Sequence, residues 1–370
     1  MGIKIGIIGA GGMVPYHVAG FRQAGAEVVA IADTVPDKVD AAMFKYSILR
    51  GDSTAESLLG IDELDAVSII TPNMLHAPLA IAALEAGKHV YCEKPPTLNA
   101  IEMYEVARAA EKAGLIWMAG LNNRHRPEAE ILKMSIESGG SKQIDSHAGG
   151  QANLRSGEAY WVRRAGIPGF GTWFTNRSQS GGGCTIDLLH MLDLAWWLMG
   201  CPKPSDVLAR TFDDFHDDPK YKGPWGIVDG TGPTDVETAA HAMVTFTTGQ
   251  CLQVHTSWAE MVERERVGVK LQGATLGACL ERVFGQDGLD DTAKDSLHIF
   301  REGPLASRDD SHIVCRPDPA MGRIAGAAHF IRVIEGKEEP RNTPDQALML
   351  MLMVDAIYQS SRTRSSVRIG

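Results

Sequence analysis

The chain has 370 residues, 44% of them hydrophobic and 22% charged, and a formal net charge of −10. It is long enough for two domains and a sizeable core, and its acidic balance, with no lysine- or arginine-rich run, disfavours nucleic acid as a partner. No apolar run approaches the ~20 residues of a membrane helix, and the N-terminal stretch lacks a signal peptide's apolar core and small-residue cleavage site, so a cytoplasmic protein without membrane contact is expected.

Residues 1 to about 120 alternate short apolar runs with helical patterns. The strand-like runs are Ile3–Ile8, Glu27–Ala32, Ala66–Ile70, His89–Cys92 and Ile116–Ala119. Helical stretches between them include Ala77–Ala86, closed by Gly87, and Ala100–Ala113, closed by Gly114; glycine just past a helix end is a stop signal. This alternation, with strands apolar throughout, predicts a parallel sheet covered on both faces.

Beyond Gly120 the pattern changes. Pro127 opens a helix that Gly139-Gly140 closes. Longer alternating runs follow over Gln143–Leu154, Ala239–Phe246, Cys251–Trp258 and Val267–Gln272, with Thr247–Gln250 as a hairpin turn. They predict a mostly antiparallel sheet. Gly181-Gly182-Gly183 leads into a helix expected over Ile186–Met199. A last helix, from Pro344 to about Ser361, starts at a capping box of Thr343 and Gln346. The acidic run Asp213–Asp218 reads as a solvated loop. The six cysteines, Cys92, Cys184, Cys201, Cys251, Cys279 and Cys315, form no CxxC pair and read as buried, reduced thiols. Trp258 reads as core. No HExxH, clustered Cys/His spacing or EF-hand loop is present, so no metal is expected; Gly-x-Ser-x-Gly and the full Walker loop are also absent.

The first strand runs into Gly9-Ala10-Gly11-Gly12-Met13. There Gly9 permits a tight turn, Gly11 admits a pyrophosphate close to the backbone, and the following helix supplies amide donors and a positive dipole end. Val14 stands where the fingerprint has a third glycine or alanine. The second strand ends at Asp33, about the spacing at which an acid takes the adenine ribose hydroxyls. A carboxylate there repels a 2′-phosphate, which favours NAD over NADP. Thr71-Pro72-Asn73 after the third strand, His76 at the next helix, Glu93-Lys94 after the fourth strand and Asn122 complete the expected cofactor rim, because ligands bind at the carboxyl ends of parallel strands.

These motifs, with Glu93-Lys94-Pro95, Asn122-Asn123-Arg124, the triple glycine, and Asp187 with His190 and Asp193, resemble the glucose-fructose oxidoreductase and inositol dehydrogenase (Gfo/Idh/MocA) family. The resemblance implies an α/β fold: an N-terminal Rossmann doubly wound parallel sheet, expected over 1–122, and a C-terminal α+β substrate-binding and oligomerisation domain with an open, mostly antiparallel sheet, expected over 123–370. The last helix is expected to pack back toward the first domain. The family also implies NAD(P)-dependent hydride transfer at a secondary hydroxyl or ketone carbon of a sugar, glycoside or cyclitol, and a homo-oligomer, dimer or tetramer. Lys94 then stabilises a developing alkoxide, His190 is the acid/base, and Asp187 binds a hydroxyl or orients His190. Arg124, Trp161, Arg163, Arg164, Trp173 and Asp193 are further substrate contacts, the segment from Tyr160 to Phe174 resembling the family's substrate loop or serving as an oligomer contact. The family pattern has four steps from this aspartate to the histidine and this chain has three, which on one helix would still leave both on a shared face. Two other readings stay open: glycoside cleavage by oxidation, elimination and reduction with recycled NAD, and a non-catalytic NAD-sensing protein.

Overall fold

The computed structural model describes residues 2–139, 153–224, 226–285, 293–301, 307–315 and 318–370. The chain forms two compact units: Met1–Asn122 with Gln179–Gly181 and Gly322–Met351, and Asn123–Ser178 with Gly182–Met321 and Leu352–Gly370. The first unit therefore takes in two segments from beyond residue 122.

In the first unit, strands β1 (Lys4–Ile8), β2 (Glu27–Ala32), β3 (Arg50–Asp52), β4 (Ala66–Ile69), β5 (His89–Cys92) and β6 (Trp117–Ala119) form one sheet in the order β3-β2-β1-β4-β5-β6. Every pairing is parallel. The connecting helices are α1 (Val14–Gln23), α2 (Pro36–Tyr46), α3 (Ala55–Leu59), α4 (His76–Glu85) and α5 (Ala100–Ala113). The strand order reverses direction between β1 and β4, which makes the carboxyl ends of those strands the natural ligand crevice. The strands are buried because helices cover them; all four residues of β4 are inaccessible. The short edge strand β3 escapes sequence reading because its three residues, Arg50-Gly51-Asp52, carry no apolar pattern.

A helix that the sequence did not signal, α10 (Arg323–Ile334), lies against α1. Its Phe330 joins Phe21 of α1 and Tyr91 of β5 in an aromatic cluster, with ring centroids 5.3 Å (Tyr91–Phe330) and 6.1 Å (Phe21–Tyr91) apart. The two helices approach so closely at Gly20 that an added Cβ would lie 2.6 Å from the Ala327 Cβ. Close helix packing is thus achieved at Gly20, while Val14 is simply a buried core residue.

The second unit is built on a nine-stranded sheet of order β14-β13-β12-β11-β7-β10-β9-β8-β15. Its strands are β7 (Leu154–Val162), β8 (Pro204–Phe212), β9 (Ala239–Phe246), β10 (Cys251–Ser257), β11 (Arg266–Gly273), β12 (Leu276–Val283), β13 (Lys294–Arg301), β14 (Ser311–Cys315) and β15 (Val367–Arg368). Only β7–β10 pair in parallel; the other neighbours are antiparallel. Most of the strand expected over Gln143–Leu154 (143–152) lies outside the described residues. What is seen begins at Leu154 and runs to Val162, so Tyr160 and Trp161 belong to a strand rather than to a loop. Alternation along β12 is complete, with every second residue buried, as expected of a sheet covered on one face.

Helices α6 (Pro127–Glu137), α8 (Cys184–Asp187) and α9 (His190–Leu198) accompany this sheet, α9 packing on β7, β10 and β11, and the short α7 (Arg177–Ser180) is divided between the two units. The helix expected over 186–199 is therefore two helices, broken at Leu188-Leu189. Both leucines are buried, and Leu188 closes α8 by donating its amide to the Cys184 carbonyl, so core packing overrides the continuous apolar pattern. The last helix, α11 (Pro344–Thr363), starts with the Gln346 amide on Thr343 Oγ1; its residues through Met351 fall in the first unit and the rest in the second. Of the cysteines, Cys92 and Cys184 are buried, while Cys201, Cys251, Cys279 and Cys315 are half-buried. That corrects the expectation of six buried thiols.

Gly20→Val should overpack the α1–α10 contact. The expected cost is about 1–3 kcal/mol, read as a lower urea midpoint with an unchanged slope.

Candidate active site

The glycine loop of the first unit is held in place by its own backbone. Gly9 sits at φ 103°, and an added Cβ there would collide with the Ile70 carbonyl; no other residue type fits. Its amide donates to the Ala32 carbonyl at 2.7 Å. Asp33, at the end of β2, accepts the Ala10 amide on Oδ2 at 2.8 Å and the Val35 amide on Oδ1 at 2.9 Å. Its carboxylate thus ties the glycine loop to the next turn. Gly11 and Gly12 are exposed, and nothing lies within 4 Å of a Cβ built on Gly12. Met13 is the N-cap of α1 and gives that helix no side-chain cap.

Along the same rim, Glu93 follows β5 and is nearly enclosed. Its Oε1 contacts His17 Nε2 at 2.8 Å, its Oε2 accepts the Lys94 amide at 3.1 Å, and His17 Nδ1 contacts Ser68 Oγ of β4 at 2.7 Å. A chain of contacts therefore links α1, β4 and the loop carrying Lys94. Burial pushes the Glu93 carboxyl up, but the hydrogen bond and charge of His17, with Lys94 and Arg323, outweigh it and bring the pKa down to about 2. Glu93 is thus an anion fixed beneath Lys94. The Lys94–Pro95 peptide is cis.

Thr71 and Pro72 are half-buried on this rim, and Thr71 Oγ1 is buried without a hydrogen-bond partner among the described residues. Asn73 is buried and donates from Nδ2 to the Ser180 carbonyl at 2.8 Å. His76, expected to face a cofactor, is wholly buried instead, with Nδ1 2.7 Å from the Pro95 carbonyl and Nε2 3.0 Å from the Thr71 carbonyl. Burial pushes its pKa down against the pull of the two carbonyls. A neutral ring has a single N–H, so it donates to one of the two carbonyls and only contacts the other; with both ring nitrogens against backbone, the side chain lies between the loops that carry Thr71 and Pro95. Asn122 is buried at the start of a 3₁₀ turn after β6.

In the second unit Gly182 and Gly183, the last two of the triple glycine, pack tightly. An added Cβ at Gly183 would meet the Glu237 backbone. The buried Glu237 carboxylate accepts the amides of Gly183 and Thr185 at 3.0–3.1 Å and the Tyr358 hydroxyl at 2.9 Å. An anion at a helix start is favourable, and this one fixes α8 and hence Asp187 at its end. Asp187 Oδ2 accepts Trp258 Nε1–H at 2.8 Å, and Arg163 Nη1 lies 3.9 Å away. Glu265 accepts from Arg163 Nε at 2.9 Å and from Trp161 Nε1 at 2.8 Å. The Trp161 ring lies 5.8 Å from the His190 ring, centroid to centroid, and the Arg163 guanidinium lies 5.0 Å over Trp161. His190 opens α9 and is 5% exposed; Asp187 is 8% exposed.

Asp187, His190, Trp161 and Arg163 thus form one cluster, although the helix break removes the shared helical face expected for Asp187 and His190. Trp173 stacks on Phe174 at 4.4 Å, and Phe174 contacts Trp258. Two expected substrate contacts are corrected. Arg124 and Asp193 are buried completely against each other, with bonds of 3.0 and 2.6 Å. Burial pushes the Asp193 carboxyl up and Arg124 offsets only part of that; such a pair packs α9 and does not face a ligand. Arg164 is exposed and donates to the Val262 carbonyl at 2.6 Å, outside the cluster. Sequence reasoning missed His17, Ser68, Glu237 and Glu265, which have no motif of their own, and took Trp258 for core alone.

The Glu93 arrangement makes stability depend on acid. Its folded pKa of about 2 lies below an unfolded value near ~4.3. Its contribution is therefore full above ~pH 4.3 and is lost as pH falls toward about 2. Urea unfolding of wild type and Glu93→Gln should differ by on the order of 2–3 kcal/mol at neutral pH, a gap that shrinks below about pH 4.

Comparison with known proteins identifies the family. The model of the oxidoreductase family with an NAD-binding Rossmann fold matches residues 3–121, and the GFO/IDH/MocA C-terminal domain matches residues 142–275. D-glucoside 3-dehydrogenase of Escherichia coli (strain K12) is 26% identical over 371 residues, covering 99% of this chain and 97% of that protein. Levoglucosan dehydrogenase of Pseudarthrobacter phenanthrenivorans is 28% identical over 360 residues, covering 92% and 88%. Among solved structures, levoglucosan dehydrogenase in complex with NADH and L-sorbose has the same fold, with a TM-score of 0.81 at 22% identity over 100% of this chain and 99% of that one. The chain is a member of the GFO/IDH/MocA oxidoreductase family, whose N-terminal domain is an NAD-binding Rossmann fold.

Proposed function

We propose that the protein is an NAD-dependent dehydrogenase acting at a secondary hydroxyl or ketone carbon of a sugar, glycoside or cyclitol. The observation that carries this reading is the Ser68–His17–Glu93 chain, which fixes Lys94 on the ligand rim of a doubly wound sheet. The names of the glucoside and levoglucosan dehydrogenases support the substrate class.

The rim suits a dinucleotide. Gly11 and Gly12 leave open space beside the uncapped start of α1, and Thr71 Oγ1 is left for a ligand. In this reading Gly9, Gly11, Gly12 and Met13 hold the pyrophosphate through backbone amides, Asp33 takes the adenine ribose hydroxyls, and Thr71, Pro72, Asn73, Glu93 and Asn122 shape the rest of the rim. NAD, when bound, supplies the hydride acceptor for the carbinol carbon. Residues 1–122 form the NAD-binding part; residues 123–370 form the substrate-binding and oligomerisation part.

Lys94 stabilises the developing alkoxide, and His190 takes the hydroxyl proton. Asp187, held by Trp258, binds a substrate hydroxyl or orients His190. Trp161 and Arg163 offer an aromatic face and a guanidinium suited to a carbohydrate. Glu265 accepts a hydrogen bond from each of them.

Lys94→Ala and His190→Ala, folded by circular dichroism, should each lower kcat by about 10²–10⁴ on a glucoside that the wild type oxidises with net NADH formation. Near-normal turnover in both variants would refute the assignment, and aglycone release without net NADH would replace it with glycoside cleavage. Asp33→Ser should lower kcat/KM with NAD by at least about tenfold and narrow the preference over NADP.

A further inference from the structure

We propose that His241, His255 and Glu260 form a binding site for a divalent transition-metal ion on the open face of the nine-stranded sheet. β9 and β10 pair antiparallel in a register that sets His255 directly opposite His241. Ala240 and Val244 on one strand, and Leu252, Val254 and Thr256 on the other, are buried. The two histidines, which alternate with them, therefore stand together on the other face. Their rings stack with centroids 3.9 Å apart.

The third donor comes from the turn after β10. The Glu260 amide donates to the Arg163 carbonyl at 3.0 Å and its own carbonyl accepts the Val262 amide at 2.9 Å, so the backbone fixes where the carboxylate points. Both imidazoles converge on one oxygen of it. His255 Nε2 lies 2.7 Å, and His241 Nε2 3.9 Å, from Glu260 Oε1. The three donor atoms all lie within 4.8 Å of one another.

A tetrahedral zinc ion with bonds of ~2.0–2.2 Å holds its donors about 3.3 Å apart. The two separations from Glu260 Oε1 bracket that value, and seating an ion also requires the stacked rings to splay so that both ring lone pairs meet at it. Two imidazoles and one carboxylate suit Zn²⁺, Ni²⁺ or Cu²⁺ rather than Ca²⁺ or Mg²⁺. The fourth position is left to water or an incoming ligand. Each imidazole binds an ion in its neutral form, through a ring nitrogen. The site borders a concavity of about 700 Å³ lined by four cations, of which Lys270 is paired with Glu158, Arg266 with Glu281 and Arg264 with Glu263, while Arg210 donates to the Ala209 carbonyl.

The molecule contains its own control. His298 and His312 form a second stacked cross-strand pair, also 3.9 Å apart, on β13 and β14, but among the described residues no third donor completes a cluster there. The test is calorimetric titration of the chelator-treated, dialysed protein with Zn²⁺, alongside His241→Ala, Glu260→Gln and His298→Ala, each verified as folded. Wild type and His298→Ala should bind one Zn²⁺ per chain. His241→Ala and Glu260→Gln should bind at least about tenfold more weakly, the loss seen when even an outer partner of a metal site is removed. Absence of stoichiometric binding to wild type, or equal binding by His241→Ala and Glu260→Gln, would overturn the proposal. Co²⁺ loading of wild type gives a readout independent of the variants: visible bands without a thiolate charge-transfer band are expected, whereas a thiolate band would place the ion at a cysteine and overturn it.

Discussion

A buried carboxylate must be paired, because an unpaired anion inside a protein costs several kcal/mol. Glu93 is nearly enclosed and stays ionised, so it requires His17 and the Lys94 amide on its two oxygens. That requirement joins α1, β4 and β5 at their ligand-binding ends. The glycine loop before α1, the Thr71 turn after β4 and the lysine after β5 thereby become one rigid rim. His76 adds a second clamp beneath it by contacting both the Thr71 and Pro95 carbonyls.

The second unit solves a similar problem with a different anion. Glu237 caps the start of α8, and α8 ends at Asp187, whose carboxylate is held by Trp258. Glu265 in turn fixes both Trp161 and Arg163. Side chains that serve a site are thus positioned by residues without any motif, and their locked rotamers are what precise placement of a catalytic group requires. By contrast Arg124 and Asp193 satisfy each other completely and are spent on packing.

What was legible in the sequence follows from range. The glycine loop, Asp33 and Glu93-Lys94 lie within a few residues of the strand that presents them, so local pattern places them. The hairpin of β9 with β10 was also legible, because the Thr247–Gln250 turn marks it. His17 was not legible as a partner of Glu93, since the two are joined only once α1 packs on the sheet. The break between Asp187 and His190 was invisible because Ile186–Met199, apolar apart from Asp187, His190 and Asp193, is buried almost all round, which erases the periodicity that marks a helix end. The His241–His255–Glu260 cluster escaped a search for metal spacing because two donors come from facing strands and the third from the turn beyond.

The central claim is that the protein transfers a hydride from a carbohydrate to NAD. The most direct measurement uses a glucoside deuterated at its ring carbinol carbons, incubated with the purified protein and NAD, with the cofactor analysed by mass spectrometry. The account predicts reduced cofactor carrying one deuterium. Turnover that leaves the cofactor without deuterium would contradict it.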